Sequence, residues 1–576
     1  MADPREVLAQ RVTSALRAAF GDAYAGADPL IRPSQFADFQ ANVALSLGKR
    51  LGQPPRGVAE EIVRNLDVAT VAEPPEVSGP GFINFSLRSE WVAAQTSALL
   101  PDPRLGVPAA SPPQTVVVDY SGPNVAKELH VGHLRVTVVG DSVVRILEFL
   151  GHTVIRAAHL GDWGTPFGML IEHALDLGEA ETHAQLATGE FTAFYQAARV
   201  KFTEDPVFAD RARQRVAKLQ GGDGETLRLW ELLVAESMTY LTAIYRRLGI
   251  TLTSETMAPE SFYNPMLADV CKELEAAGIA VISEGALCAF PPGFTGRDGR
   301  PLPLMLRKSD GGYGYDTTDA AAIRYRLTEL HASRIIYVVG SEQAQHLHMV
   351  FELARQAGWL TGTARAEHAP IGLVTGSDGK RLRTREGEQV KLNSLIDEAV
   401  ERAGKVIADR YDDPVLREQI AEAVGIGAVK YGDLSVARDS SYAFDFDRML
   451  ALTGNTGPYL QYATARIRSI FRKAGRDPDL AAGELRITHD AERALALNLL
   501  GFATAVSQAA EAAEPHRLAG FVFEVASAFT TFYENCPVLQ APDEATRESR
   551  LALSALTLRV LTTGLDLLGV PVPERM

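Results

Sequence analysis

The stretch 115–162 leaves the chain few architectures. TVVVDYS (115–121) is a short run rich in β-branched residues, and TVIRAAHLGD (153–162) is another. Between them, GHLRVTVVGDSVVRILEFLGH (132–152) carries apolar residues at helical spacing and meets Gly151, where a helix would stop. Strands joined by a helical crossover pair in parallel, so the pattern predicts a βαβ unit and a parallel sheet. RIIYVVGSEQ (334–343) and HAPIGLVTG (368–376) repeat the strand-then-loop pattern, with the helix-like HLHMVFELARQAG (346–358) between them.

The patterning changes on either side. In the first part, QFADFQANVALSLGKRLG (35–52) reads as one amphipathic helix ended by glycine, and EVSGPGFINFSL (76–87) as a turn followed by an alternating strand. LLPDPRLGVPAASPPQ (99–114) is proline-rich and aperiodic, which marks a boundary. The mixed stretch 175–305 is expected to hold inserted helices. Beyond residue 390 helical spacing dominates, as in LREQIAEAVGIGAVKYGDL (416–434), GPYLQYATARIRSIFRKAG (457–475) and ERALALNLLGFATAVSQAAEAA (492–513). The expected fold is α/β. It has an α+β N-terminal domain at 1–110, a Rossmann-type parallel-sheet domain with helical insertions at 111–390, and an all-α domain at 391–576.

Composition narrows the class. With 46% hydrophobic and 22% charged residues over 576 positions, the chain reads as a multidomain globular protein. No apolar run is long enough to span a bilayer. The opening residues MADPREVLAQRV carry acids and no apolar stretch, so no secretory leader is expected. Cys271, Cys288 and Cys536 are scattered and odd in number, which suits a reducing cytoplasm better than a disulfide framework or a CxxC metal site. A net charge of −15 counts mildly against nucleic acid as partner, but an average does not exclude one basic face.

Just past the first strand stands ELHVGHLR (128–135), with His130 and His133 three apart and Gly132 between them. Metal is disfavoured: helical zinc pairs take i, i+4 spacing, and no third ligand lies close. Phosphate suits the place better, because a helix N-terminus offers free N–H groups and a favourable dipole. Taken alone, HVGH is cheap, and two surface histidines at a helix start would explain it.

It does not stand alone. The segment from VVVDYSGPNVAKELHVGHLR through GDWGTPFGML (116–170) resembles the nucleotide-binding start of class I aminoacyl-tRNA synthetases, in particular the arginyl-tRNA synthetase family. The match includes the PNVAK lead-in and HVGH as the form of the HIGH motif, with Pro166 a departure where glutamine is expected. RKSDGGYGYDTTDAAAIRYR (307–326), YVVGSEQAQHLHM (337–349) and GSDGKRLRTREGEQVKL (376–392) resemble further segments of the family in the right order. The last of these sits where the KMSKS loop belongs. FDFDRMLALTGNTGPYLQYATARI and the final GLDLLGVPVPERM resemble its anticodon-binding helical domain, and 1–110 its N-terminal domain.

The resemblance implies that arginine is activated with ATP, with accompanying Mg2+, and passed to the 3′-terminal ribose of tRNA(Arg). His130 and His133 would donate to phosphate oxygens and Gly132 would leave room for adenosine. The KMSKS loop is altered to KRLRTR, so Lys127 would supply the missing cation beside Lys380, Thr384 and Arg385. A guanidinium substrate calls for carboxylates in planar, bidentate arrangement. By resemblance Asp119 and Asp319 fill that role, Tyr315 closes the pocket, and Ser121, Asn124 and Gln343 complete the arginine site. Tyr459, Gln461, Tyr462 and Arg466 would meet tRNA on a helix that also carries Arg468, Arg472, Lys473 and Arg476. No metal site of the protein's own is expected, the cysteine usage points to the cytoplasm, and the family implies a monomer that activates arginine only with tRNA bound. A HIGH-type nucleotidyltransferase of small molecules would not need the long helical region. A non-catalytic tRNA-binding paralogue would not need the full set of histidines, Lys127 and acids. A class I enzyme for another amino acid would have no use for two acids in that pocket.

Overall fold

The computed structural model describes residues 3–125, 127–187, 191–383, 389–408, 411–480 and 483–576. Its centre is a four-stranded, wholly parallel sheet in the order Arg365–Ile371, Arg334–Gly340, Thr115–Tyr120, Thr153–Ala157. Thr115–Tyr120 lies inside the sheet with Val116, Val117, Val118 and Tyr120 fully buried, as its unbroken apolar run requires. The helix Val131–Phe149 crosses over to Thr153–Ala157 and packs so close to the first strand that a Cβ on Gly140 would sit 2.3 Å from that of Tyr120. The next residue, Asp141, accepts from the Tyr120 hydroxyl (3.2 Å) and the Thr251 N–H (2.7 Å), locking the helix onto the sheet.

The expected inserted helices are present, from Thr165–Leu177 to the long Gly224–Leu248 and Asn264–Ala276. They are followed by an antiparallel sheet of Ala280–Ser283, Ala286–Ala289 and Leu304–Arg307. Its first hairpin turns on Glu284 and Gly285, both at positive φ (51° and 81°), a tight-turn signal weaker in sequence than Asn-Gly.

The N-terminal part is α+β, with an antiparallel sheet ordered Ile31–Pro33, Phe39–Ala41, Phe82–Phe85, Glu76–Ser78. Here the expected helix over 35–52 shortens to Val43–Leu51. Phe39–Ala41 instead pairs on both sides, because Phe39 and Ala41 turn inward and Gln40 stays half-exposed, a period of two hidden in a short apolar run.

The C-terminal part is helical. The run 492–513 is two helices, Asp490–Leu499 and Phe502–Ala512, broken at Gly501, where a Cβ would press 3.2 Å from the Phe521 ring. Charged contacts bind the parts together. Arg493 clamps Asp38 of the N-terminal sheet (2.7 and 2.8 Å), and Arg334 donates to the carbonyls of Ala510 (3.0 Å) and Glu511 (2.8 Å) at the end of Phe502–Ala512, where a cation meets the negative end of the helix. Among the described residues no helix is long and apolar enough to cross a membrane.

Gly140→Val must part helix from strand. We expect a loss of about 3 kcal/mol, the upper range for overpacking, seen as an earlier urea transition in far-UV circular dichroism.

Candidate active site

The strand order turns at Thr115–Tyr120. Its crossover leads to Thr153–Ala157 on one side, and the chain returns to Arg334–Gly340 on the other. Connections leaving in opposite directions open a crevice beyond the strands' C-terminal ends. A cavity of about 480 Å³ lies there. Asp119, Ser121 and Gly122 line it from the exit of the first strand, Val339 and Gly340 from its neighbour, and His130, Gly132 and His133 from the start of the crossover helix.

The two histidines are held as neutral donors. The backbone N–H of Gly132 donates to His130 Nδ1, and that of His130 to His133 Nδ1, each at 3.1 Å. With Nδ1 accepting, a neutral imidazole carries its proton on Nε2. The rings lie 3.9 Å apart, centroid to centroid. Burial, then the charges of Arg381 and Lys127, pushes His130 down to about 4. Burial, then His130, pushes His133 down to about 3. Both therefore stay uncharged near neutrality. A side chain at Gly132 would meet His130 Cε1 at 2.8 Å, so the glycine makes room for the ring as well as for a ligand.

Residues 374–382 form a cationic hairpin that carries Lys380 and Arg381, and residues 390–392 farther along the chain are zipped onto this helix start. Val131 N–H donates to Val390 O (3.0 Å) and Leu392 N–H to Leu129 O (2.9 Å). Arg381 lines the cleft, while Lys380 lies in the adjoining groove with Gly376 and Asp378. Thr384 and Arg385 lie outside the described residues. The Lys127 ammonium rests 4.4 Å from the centroid of the Tyr195 ring, on an inserted helix beside the cleft.

The other end of the cleft is acidic. Asp119, expected to meet the guanidinium of a substrate, meets one from its own chain: buried Arg326 lies 2.7 Å away. Its charge is thus compensated internally. Asp319 remains turned to the cavity, with His346 Nε2 at 2.5 Å and His159 Nε2 at 3.9 Å. Burial alone would raise Asp319, but the His346 bond and the neighbouring cations hold it below the usual carboxylate range. The same bond raises His346 against its own burial. Nearby Glu260 is pushed up to about 7 by burial, then by repulsion from Asp162 and Asp319.

Gln343 lines the cleft at the turn after Arg334–Gly340. Ser121 does too, but it is fully buried at φ 56°, and its hydroxyl is engaged by Thr137 (2.6 Å) and Tyr245 (2.7 Å). Asn124 and Tyr315 are not part of the lining. Asn124 lies over Gly161, where a Cβ would meet its Oδ1 at 2.2 Å, and Tyr315 is 66% exposed, edge-on to His346. His159, Arg326, His346, Arg381 and Glu260 were not singled out from the sequence. Only Arg381, inside KRLRTR, carried a local signal. Among the described residues, no group of three His, Cys, Asp or Glu side chains is placed to hold a metal ion.

A second surface lies on the helix Gly457–Ala474. Tyr462, Arg466, Arg472 and Lys473 line a groove with Tyr411, Tyr533 and Arg575. Arg466 sits between the rings of Tyr462 (4.8 Å) and Tyr533 (5.2 Å). Tyr459 faces away, its hydroxyl 3.1 Å from Thr530 Oγ1. Gln461, expected at this surface, is instead fully buried and donates to the carbonyls of Ala423 (2.9 Å) and Pro571 (2.7 Å). It holds the domain together and presents nothing to RNA.

Three family models match in succession: the arginyl tRNA synthetase N-terminal domain over 6–87, the catalytic domain of class I tRNA synthetases (R) over 95–446, and the DALR anticodon binding domain over 460–576. The chain is 61% identical to an arginine–tRNA ligase of Thermobifida fusca over the full length of both. It is 51% identical to that of Frankia casuarinae over 96% of this chain and 95% of the other. Its fold superposes on the crystal structure of arginyl-tRNA synthetase from Plasmodium falciparum with a TM-score of 0.86 at 31% identity, covering all of both chains. For the Thermus thermophilus arginyl-tRNA synthetase the values are 0.81 and 26%, over 99% of this chain and all of the other.

The lowered pKa values have a consequence for stability. An unfolded histidine binds its proton near pH 6.5, whereas folded His130 does so only near 4, so the fold loses stability as pH falls between those values. His130→Gln is expected to lose less stability than the unsubstituted chain between pH 7 and 5, measured as the shift of the urea midpoint.

Proposed function

The chain belongs to the arginyl-tRNA synthetase family, and on that footing we propose how its own residues carry out the ligation of arginine to tRNA(Arg) at the expense of ATP. The arginine carboxylate attacks the α-phosphate and pyrophosphate leaves. A ribose hydroxyl of tRNA then attacks the adenylate carbonyl, the acyl–phosphate bond breaks, and AMP leaves with the hydroxyl's proton passed to its phosphate or to water. The first attack requires no strong base from the protein, since the carboxylate is already ionised. The need is for position and for donors where charge develops.

The observation that carries the assignment is the pair of backbone N–H bonds to the histidine Nδ1 atoms. With both Nδ1 atoms occupied by backbone N–H groups, His130 and His133 are left with Nε2–H donors at the cleft. Neutral donors can bind phosphate oxygens without having to give up a proton. Arg381, Lys380 and Lys127, with Thr384 and Arg385, are assigned to the charge of the departing pyrophosphate. Mg2+ would arrive on the phosphates, as befits an ion that keeps most of its water and relies on substrate oxygens.

For arginine, the acidic end supplies the recognition. Asp319 is the primary carboxylate. Burial, then repulsion from Asp162 and Asp319, pushes Glu260 up to about 7, and a guanidinium would relieve the repulsion. Asp119, already paired with Arg326, shapes that end and contributes little net charge. Gln343 is placed for the α-amino or carboxylate group, and Tyr315 and Asn124 would have to move inward to reach the ligand. The groove of Tyr462 and Arg466 takes unpaired anticodon bases by stacking and phosphate contact. The domain division 1–110, 111–390 and 391–576 and a monomeric, cytoplasmic state complete the reading.

Arginine-dependent ATP–pyrophosphate exchange, run with and without tRNA(Arg), tests the assignment. His133→Ala should lower kcat about 10²–10³-fold, as for loss of one transition-state donor. An unchanged rate would remove the histidines from the mechanism. Asp319→Asn should raise the arginine KM by about 10²-fold or more, because a buried guanidinium loses its ionic partner. The arginine KM of the unsubstituted enzyme should rise as pH falls through about 7, where Glu260 takes up its proton, and Glu260→Gln should abolish that rise.

A further inference from the structure

Arg135 lies on the crossover helix two residues beyond His133, and its side chain is 1% exposed. It reaches out of the catalytic sheet into the helical part of the chain. There it meets the fully buried carboxylate of Asp433 at 2.8 Å, donates to the carbonyls of Ala437 (2.8 Å) and Ser440, and stands 5.2 Å from the Tyr442 ring. Asp433 stands in the last turn of the helix Pro414–Leu434, and the other three partners belong to the short segment that leaves it.

The far side of that segment is the floor of the cationic hairpin. Arg438 O accepts from Gly372 N–H (2.8 Å), Leu373 O from Tyr442 N–H (3.1 Å), and Ser441 Oγ from Leu373 N–H (3.1 Å). Val374 and Thr375 pair in parallel with Tyr442 and Ala443. The approach is so tight that a Cβ on Gly372 would lie 2.7 Å from Ser440 C. Gly372, Leu373 and Val374 line the cleft opposite the histidines. One strut, 437–444, is therefore gripped by the histidine helix on one side and carries the base of the Lys380 hairpin on the other.

We propose that Arg135 is a positioning residue for adenylate formation: through the 437–444 strut it sets the distance between the two imidazoles and the cationic hairpin, and so makes that distance depend on how the helical domain is seated. The inference rests on the nucleotide reading of the cleft. A buried guanidinium with four fixed partners does not tolerate a slide of its strut, so a displacement of Pro414–Leu434 reaches both walls of the nucleotide site together.

The test is a pair of substitutions at the two ends of the strut, read by ATP–pyrophosphate exchange, tRNA binding and thermal unfolding. Arg135→Lys cannot reach all four partners. Ser441→Ala removes only the bond to Leu373 at an exposed position, and it serves alone if the first variant does not fold. Both are expected to raise the ATP KM, by about tenfold and about threefold, a misplacement effect smaller than loss of a catalytic donor. The tRNA Kd should stay within about twofold, and the double variant should be no worse than Arg135→Lys, since contacts in one network are not additive. A loss of activity that follows only the folded fraction, with ATP KM unchanged, overturns the proposal, as do effects of the two substitutions that simply add. If the unsubstituted enzyme shows no arginine-dependent exchange, the nucleotide reading and this inference fall together. Normal exchange with unaltered variants removes the inference alone.

Discussion

A parallel sheet offers its strand ends to a ligand only where two neighbouring connections leave in opposite directions, and among the described residues that happens once, between Thr115–Tyr120 and Arg334–Gly340. Everything chemical hangs from that constraint. The strand exits bring Asp119, Ser121 and Gly340 to the crevice, the crossover helix starts there with its histidines, and the hairpin after Arg365–Ile371 has only to fold back to meet them. More than two hundred residues separate the two strands, yet they adjoin because the helical insertions loop out and return.

Charge is then divided along the crevice. One end holds uncharged donors flanked by cations, and the other holds carboxylates that lack enough cations of their own. Arg326 is the device that makes the acidic end tolerable: an isolated ionised Asp119 would be costly to bury, and a guanidinium from the protein satisfies it. What remains, Asp319 beside His346 with Glu260 strained toward protonation, leaves negative charge for a bound cation to satisfy.

The sequence made the βαβ core, the inserted helices and the histidine pair readable, because periodicity and local motifs encode them within a few turns of chain. It was silent where a partner comes from far away. Nothing near Asp119 announces Arg326, and nothing in HLHMVF marks His346 as the residue that holds Asp319. Face was the other blind spot. Gln461 stands two residues from Tyr459 and next to Tyr462, and residues so spaced on a helix cannot share one side, so one patch could not contain all three. The structure sends Gln461 into the core and leaves Tyr462 and Arg466 at the groove. The strand Phe39–Ala41 was lost inside a longer helical reading because three residues of alternation are too few to outweigh the helix beyond them.

The contacts between the two ends of the chain bear on how it is made. Asp38 finds Arg493 at a separation of 455 residues, and the Ser142 hydroxyl donates to Leu567 O across 425. During synthesis the N-terminal sheet must therefore wait until Arg493 has left the ribosome, and the histidine helix until Leu567 has, with charged and apolar faces uncovered. Such late closure is the circumstance in which partly finished chains are most exposed to one another. It makes the final helices, which do no chemistry, the step that seals the catalytic sheet.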